Sequence, residues 1–331
     1  VPIPSLEEQQ EIIRIVENLF KEVEVLEKLT EKRIALKKDY ATSALNELTK
    51  EDSKAEWQAL KPQFHNFFNE IDNIKKLRET ILQLAVQGKL TAKWRAQNLE
   101  LISGENSAEN LLKEIKAEKA KLIKEKKIKK EKTLPPIAED EIPYELPEGW
   151  VWCRVGDILE MLSDYHANGS YKTLKKHTKL LDDENYAIML RTTNFHEKNK
   201  HNYKYISEDA YNFLEKSKLY PGDIIMNKIG DPGTVFWVDD RGKPMSLAMN
   251  LFLLRATSHG ELNRILYLYL IGNENYVKSF AAGTSTQTIT KDAVKELIFP
   301  LAPLNEQDAI VENVNSLMAL CEQLEKQIEN G

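Results

Sequence analysis

Cysteine is almost missing from this chain of 331 residues: Cys153 and Cys321 lie far apart, with no CxxC spacing. That excludes a disulfide scaffold and a zinc ribbon. Long apolar runs are missing too. No stretch reaches the roughly 18–20 residues of a membrane span, and no signal-type n-region and h-region opens the chain. A soluble protein of a reducing compartment, the cytoplasm, with no membrane partner is expected. The motifs that carry catalysis are also absent. There is no GxGxxG or GxxxxGK[ST] loop to cradle phosphate, and no HExxH. An N/D-P-P-Y/F run, which would hold a flipped adenine, does not occur, and the six histidines do not pair at ligand spacing. The nearest two, His196 and His201, lie in a polar stretch. Neither a catalytic residue nor a bound metal or cofactor is therefore expected. Asp239-Asp240 with Lys243 superficially resembles a nuclease carboxylate–lysine site, but a β-turn at Asp-Asp-Arg-Gly-Lys-Pro is the better reading.

What is present is charge and helix. Charged residues make up 30% and apolar ones 42%, slightly high and slightly low for a globular protein, which points to exposed helices beside a packed core. At roughly 100–200 residues per domain, the length fits two folded units. The net charge of −6 is an average over unlike segments. Residues 111–132 hold ten Lys and four Glu, a balance of +6. Residues 151–298 hold 19 Lys or Arg and 18 Asp or Glu, a balance of +1, so −13 falls on everything else. Charge sign alone excludes no partner, but it divides the chain.

The first 50 residues read as one long helix. Ser5 and Glu8 form a capping box, and Ile12, Val16, Leu19, Val23 and Leu26 follow in steps of four and three, a coiled-coil-like seam. A second helical region runs from Ala55 to Leu90, broken near Pro62 and ended by Gly88, with further helix from Ala108 to about Lys130. Residues 133–149 carry four prolines and no period, which reads as a linker. Beyond Trp150, short β-like runs (Trp150–Val155, Ala187–Leu190, Asp223–Met226, Thr234–Val238, Leu251–Leu254, Leu297–Pro300) alternate with helical patterns at Glu208–Lys218, Leu262–Gly272 and Thr290–Glu296. The expected fold class is α+β: long antiparallel coiled-coil-like helices and one mixed α/β domain. The expected segments are 1–50, 51–132, 133–300 and 301–331.

An internal repeat links the two ends. At a constant offset of 298, Pro2, Leu6, Glu8 and Gln9 match Pro300, Leu304, Glu306 and Gln307. Ile12, Val16, Leu19, Glu24 and Leu26 match Ile310, Val314, Leu317, Glu322 and Leu324, and the second seam runs through Ile310, Val314, Leu317, Cys321 and Leu324. A coiled coil alone reproduces the spacing but not the P-x-x-x-L-x-E-Q entry. Two equivalent helices, each following an α/β domain, are implied. Since the chain opens at Val1 inside the repeated motif, it reads as half of a two-reader design.

The α/β segment is rich in donors placed after apolar strands. Arg191-Thr-Thr-Asn194 and Asn227-Lys-Ile-Gly230 each follow one, and Gly283–Lys291 is a tract of hydroxyls, one amide and one cation. Lys172, Lys175, Lys176 and Lys179 cluster around Tyr171. Lysine and arginine neutralise phosphates, hydroxyls fix register, and Asn, Gln or Arg read base edges. Candidate duplex-DNA contacts are therefore Lys172, Lys175, Lys176, Arg191, Thr193, Asn194, Asn227, Lys228, Thr284, Gln287 and Lys291, with Asn194 and Gln287 expected to read bases. A coiled-coil scaffold carrying an α/β protein-binding domain is the competing class.

Several segments carry a resemblance. The P-L-x-P-L-x-E-Q run at Pro300–Gln307, Leu77-Arg-Glu-Thr-Ile-Leu-Gln-Leu-Ala-Val-Gln-Gly-Lys-Leu90 and the Lys-rich helix occur in order with Leu146-Pro-Glu-Gly-Trp-Val-Trp152, Leu219-Tyr-Pro-Gly-Asp-Ile-Ile225 and Gly283…Thr286-Gln287…Ile289. Together they resemble specificity subunits of type I restriction-modification enzymes, here in a half-size form with one target-recognition domain. Gly283-Thr-Ser-Thr-Gln departs by one residue from the usual G-[ST]-T-Q run. The resemblance implies a non-catalytic chain whose domain reads one half of a bipartite duplex target. Its helices would act as spacers and dock methyltransferase (modification) subunits, with a restriction subunit joining them. S-adenosylmethionine, Mg and ATP would belong to those partners. Two half-size chains could also pair through their seams.

Overall fold

The computed structural model describes residues 3–50, 54–126, 128 and 132–330. They fall into two units, one of Val1–Thr80 with Leu317–Gly331, the other of Ile81–Ser316. In chain order the longer helices are α1 (Leu6–Leu48), α2 (Ile71–Val86), α3 (Ala108–Lys124), α4 (Tyr171–His177), α5 (Leu262–Gly272) and α6 (Leu304–Asn330).

In the first unit, α1 opens with the expected capping box, Ser5 accepting from Glu8 N–H while Glu8 accepts from Ser5 N–H. Its last turns are packed, with Ala41, Leu45 and Leu48 buried. The second helical region breaks where Pro62 removes a donor, giving Lys54–Leu60, a 3₁₀ turn at Lys61–Gln63 and Phe64–Phe67 before α2. Tyr40 stacks on Phe67 with ring centroids 4.1 Å apart, and Phe64 stacks on Phe68 at 4.4 Å. Arg78 forks onto Glu325, with Nη2 2.8 Å from Oε2. That carboxylate raises the Arg78 pKa further, against the effect of partial burial.

The seam of α1 is uncovered. Ile12, Val16, Leu19, Val23 and Leu26 are 42–62% exposed, whereas Ile310, Val314 and Cys321 of the matching helix are 1% exposed and Leu317 and Leu324 are half-buried. The repeat is nevertheless reproduced in part at the entry. Gln9 donates to the Pro4 carbonyl (2.8 Å) as Gln307 donates to Ala302 (3.3 Å). Glu8 closes on Ser5 N–H, but the equivalent of Ser5 is Pro303, which has no N–H. Glu306 is thus released to other donors: fully buried, it accepts from Thr91, from Arg95 and from Trp150 Nε1 at 2.8 Å.

The second unit begins well before the expected linker. α2 ends in a Schellman motif, with Lys89 N–H on Leu84 O and Gly88 N–H on Ala85 O, and Gly88 at φ +68°. α3 stops at Lys124 rather than near Lys130; residues 127 and 129–131 lie outside the described residues. The Pro-rich segment is a strap and not a free linker. Arg154, 4% exposed, donates to the carbonyls of Pro135, Pro136 and Glu296 and forks onto Glu141. Tyr144 donates to Val86 O, and its ring lies 5.1 Å from Trp152. A strand arginine with five donors gathers carbonyls that prolines leave without a helix or sheet to join.

The strands are β1 (Val151–Arg154), β2 (Leu159–Asp164), β3 (Ala187–Leu190), β4 (Lys204–Ile206), β5 (Lys218–Leu219), β6 (Ile224–Asn227), β7 (Val235–Trp237), β8 (Met245–Leu247), β9 (Leu251–Ala256) and β10 (Ile298–Leu301). β1 pairs with β10, and two four-stranded sheets run in the orders β2-β9-β6-β7 and β4-β3-β8-β5. The sheets share a core of Ile188, Leu190 and Leu247 from one and Ile225, Leu251 and Leu253 from the other. The other face of the first sheet buries Ile224, Met226, Phe252 and Leu254, and α5 packs on β7 and β9. The fold class is α+β, as the sequence pattern implied.

Candidate nucleic-acid interface

Strand direction places the donor-rich loops at one end of the two sheets. In the first sheet Asp164 pairs with Phe252 and Asn227 with Leu251, so β2 and β6 end where β9 begins. In the second, β3 and β8 are parallel and end together at Leu190 and Leu247. The residues that follow these four strands are the loops beginning at Tyr165, Arg191, Lys228 and Ala248.

The β8–β9 turn joins two of them. Ala248 N–H bonds Leu190 O (3.0 Å), beside Arg191, and Lys228 N–H bonds Asn250 O (2.9 Å). Asn250 sits at φ +65°, a left-handed conformation that asparagine tolerates, and Met249 beside it is 50% exposed. A further loop closes on Lys228: Ile289 N–H bonds Lys228 O (3.1 Å), Ile229 bridges Thr288, and Ala282 and Thr288 exchange two 2.9 Å bonds. Within it Gly283 has φ +124°, and a Cβ there would run into Thr286 O. The loop needs glycine at that point.

Lys228 and Lys291 meet at this junction. Their ammonium groups lie 3.7 and 3.3 Å from opposite oxygens of Asp164, and 5.4 and 6.0 Å from the Phe252 ring centroid. Asp164 is 13% exposed and the lysines about one third. Thr284 and Gln287 are exposed on the adjoining loop. The Lys228 loop is anchored behind by Lys278, 2.7 Å from Asp231. That bond holds the Asp231 carboxyl below its ordinary range, helped by Thr234.

Other expected residues stand differently. Lys172, Lys175 and Lys176 are exposed on α4, which Ser170 caps and which follows Asp164 through residues 165–170. Arg191 donates to Asn202 O at 2.6 Å, and Thr193 is exposed. Asn227 is 6% exposed. Asn194 stands apart from the expectation of an outward-facing base reader. It is fully buried, accepts from Arg191 N–H (3.1 Å) and donates to Asn199 and Asn202 carbonyls (3.2 and 2.9 Å). Its amide holds its own loop and does not face outward to read a base. The sequence reading missed Asp164, Met249 and Asn250; the signal available was an Asn in a short Met-Asn step between two apolar runs.

Asp240 accepts from Gly242 N–H (2.8 Å) and Lys243 pairs with Glu184 (2.9 Å), the arrangement of a turn. Among the described residues, no group of three or more His, Cys, Asp or Glu is placed to hold a metal ion, and no helix is long and apolar enough to cross a membrane. Burial pushes the Cys153 and Cys321 thiols up, away from reactivity.

Residues 147–331 match a family model described as the type I restriction modification DNA specificity domain. Over 98% of its length the chain is 29% identical to the type I restriction enzyme EcoAI specificity subunit of Escherichia coli, covering 54% of that protein. Over 48% of its length it is 35% identical to the EcoEI specificity subunit of Escherichia coli, covering 26% of it. The chain spans about half the length, or less, of these curated relatives. A structural likeness to the HsdS subunit from Thermoanaerobacter tengcongensis has a TM-score of 0.40 at 15% identity, over 75% of this chain and 53% of that one.

Proposed function

Because the chain belongs to the type I restriction-modification DNA specificity family, we propose that its sheet end reads one half of a bipartite duplex target and that it performs no catalytic step itself. The observation that carries this reading is the convergence of Arg191, Lys228, Thr284 and Gln287 on loops, and of Lys291 at the first position of the short helix Lys291–Glu296, at one end of two sheets. Cations there neutralise phosphates, and the exposed amide and hydroxyls present hydrogen bonds to base edges. Arg191 and Lys228 need no recruitment to a common surface, since the Ala248–Asn250 turn already joins their backbones.

In this reading the helical segments space the reader and dock the modification subunits, and a restriction subunit joins that core. S-adenosylmethionine, Mg and ATP are held by those subunits, in the cytoplasm. A second copy of this chain covers the exposed α1 seam.

Selecting bound sequences from a random duplex pool, with and without the modification subunit, tests the reading. Enrichment of one short half-site is expected. Binding without any sequence enrichment, or no salt-dependent binding in either arm, overturns it.

A further inference from the structure

Asp164 stands out at the reading end because a carboxylate there opposes the charge that DNA binding needs. It is largely buried, at the last position of β2, and each of its oxygens faces one of the two lysines. The same two ammonium groups lie over Phe252, whose ring face adds a weaker attraction. Lys228 comes from the loop after β6 and Lys291 from the first position of the helix Lys291–Glu296, and the Ile289–Lys228 backbone bond joins the two segments. One acid therefore positions two cations delivered by different parts of the chain.

Resting on the DNA reading, we propose that Asp164 is a specificity-determining positioning residue, a built-in counter-ion that withholds Lys228 and Lys291 from the phosphates of arbitrary duplex. Phosphate contacts supply sequence-independent affinity, and each contact adds about 0.9 to the salt slope of binding. A phosphate approaching this pair must displace a carboxylate already in place. Lysines freed from the acid would add phosphate contacts to a duplex bound in any register. On the cognate duplex the base contacts of Gln287, Thr284 and Arg191 fix one register with the lysines still held by Asp164, so freeing them adds less there. The acid thus lowers affinity most where the bases do not fit. Discrimination is raised by suppressing the wrong complex.

The test uses the full chain, alone and with the modification subunit, on the half-site duplex selected from a random pool and on a scrambled duplex. Asp164→Asn keeps the size of the side chain and removes its charge. It is expected to tighten binding to the scrambled duplex and to steepen its salt slope by about one to two units. Between 50 and 200 mM salt the variant then loses about threefold more than the unsubstituted chain for one freed lysine, and about tenfold more for both. The ratio of cognate to scrambled affinity falls. Adding Lys228→Gln and Lys291→Gln to Asp164→Asn returns the slope to its starting value, which separates released lysines from a general change in the fold. An unchanged slope and unchanged scrambled-duplex affinity overturn the proposal. So does a loss confined to the cognate duplex, which makes Asp164 a base contact and leaves the DNA reading intact. If the unsubstituted chain shows no salt-dependent duplex binding in either arm, the reading falls and the proposal with it.

Discussion

Asn194 shows how a side chain suited to reading a base can be engaged by its own loop. It accepts from Arg191 N–H and donates to two carbonyls from full burial. Truncation leaves those groups unpaired at a cost of about 1–3 kcal/mol. Asn194→Ala is therefore expected to lower the melting temperature and to weaken cognate and random duplex binding together, through the Arg191 loop. An unchanged melting temperature with a loss on the cognate sequence alone would restore it as a base reader. Gln287 is the contrasting case. It is exposed on a loop whose backbone is tied elsewhere, so Gln287→Ala should leave melting unchanged and relax sequence preference; equal losses on both duplexes would remove it as a reader. The types of residue at this end were legible in the sequence, because cations and amides after apolar runs lie at strand ends. Which of them face outward was not. Exposure depends on hydrogen bonds closed by loops such as Asn199–Asn202, and Asp164 was hidden because its strand shifts register between Leu159 and Met161.

At the scale of elements, punctuation decided what could be read. β3 is four apolar residues set between polar stretches, and it falls where the pattern placed it, at Ala187–Leu190. α5 likewise coincides with its pattern at Leu262–Gly272. β4, β5 and β8 are two or three residues long, too short to show an alternation, and they exist because a neighbouring strand pairs with them. The strap at 133–149 was read as a linker for the same reason: its order comes from Arg154, a residue outside it. α1 poses a different problem, since its helix forms where the pattern placed it and its apolar seam lies exposed. Five seam residues remain exposed on a 43-residue helix. Each is already about half covered, so the five from each of two copies contribute roughly 0.8–1.5 kcal/mol apiece on pairing, a sum comparable with an association cost of about 4–15 kcal/mol. Concentration-dependent pairing of two copies is thus expected in light scattering, and Val16→Glu with Val23→Glu should return the chain to monomer without shifting the melting of the sheet unit. A strict monomer for the unsubstituted chain would overturn this.

For the whole molecule, net charge and charge placement lead to different expectations. A total of −6 opposes approach to DNA, and the −13 carried outside residues 111–132 and 151–298 repels the backbone from the seam-bearing ends. The near-neutral sheet segment owes its local attraction to where its cations lie. On α4, Lys172, Lys175 and Lys176 are exposed on seven residues of helix, and α4 follows the end of β2 through residues 165–170. Surface substitutions of this kind change stability by no more than about 0.5 kcal/mol. The triple change Lys172→Ala, Lys175→Ala and Lys176→Ala should therefore fold normally. If all three lysines meet phosphates, the salt slope should flatten by about 2.7. Affinity at low salt should fall by the same factor on cognate and scrambled duplex, since phosphate contacts carry no sequence information. That equality distinguishes α4 from the Asp164 junction, where the two duplexes are expected to diverge. A flattening seen on the cognate duplex alone would mean that α4 reaches phosphates only in the cognate complex, and an unchanged slope would place it off the phosphates altogether.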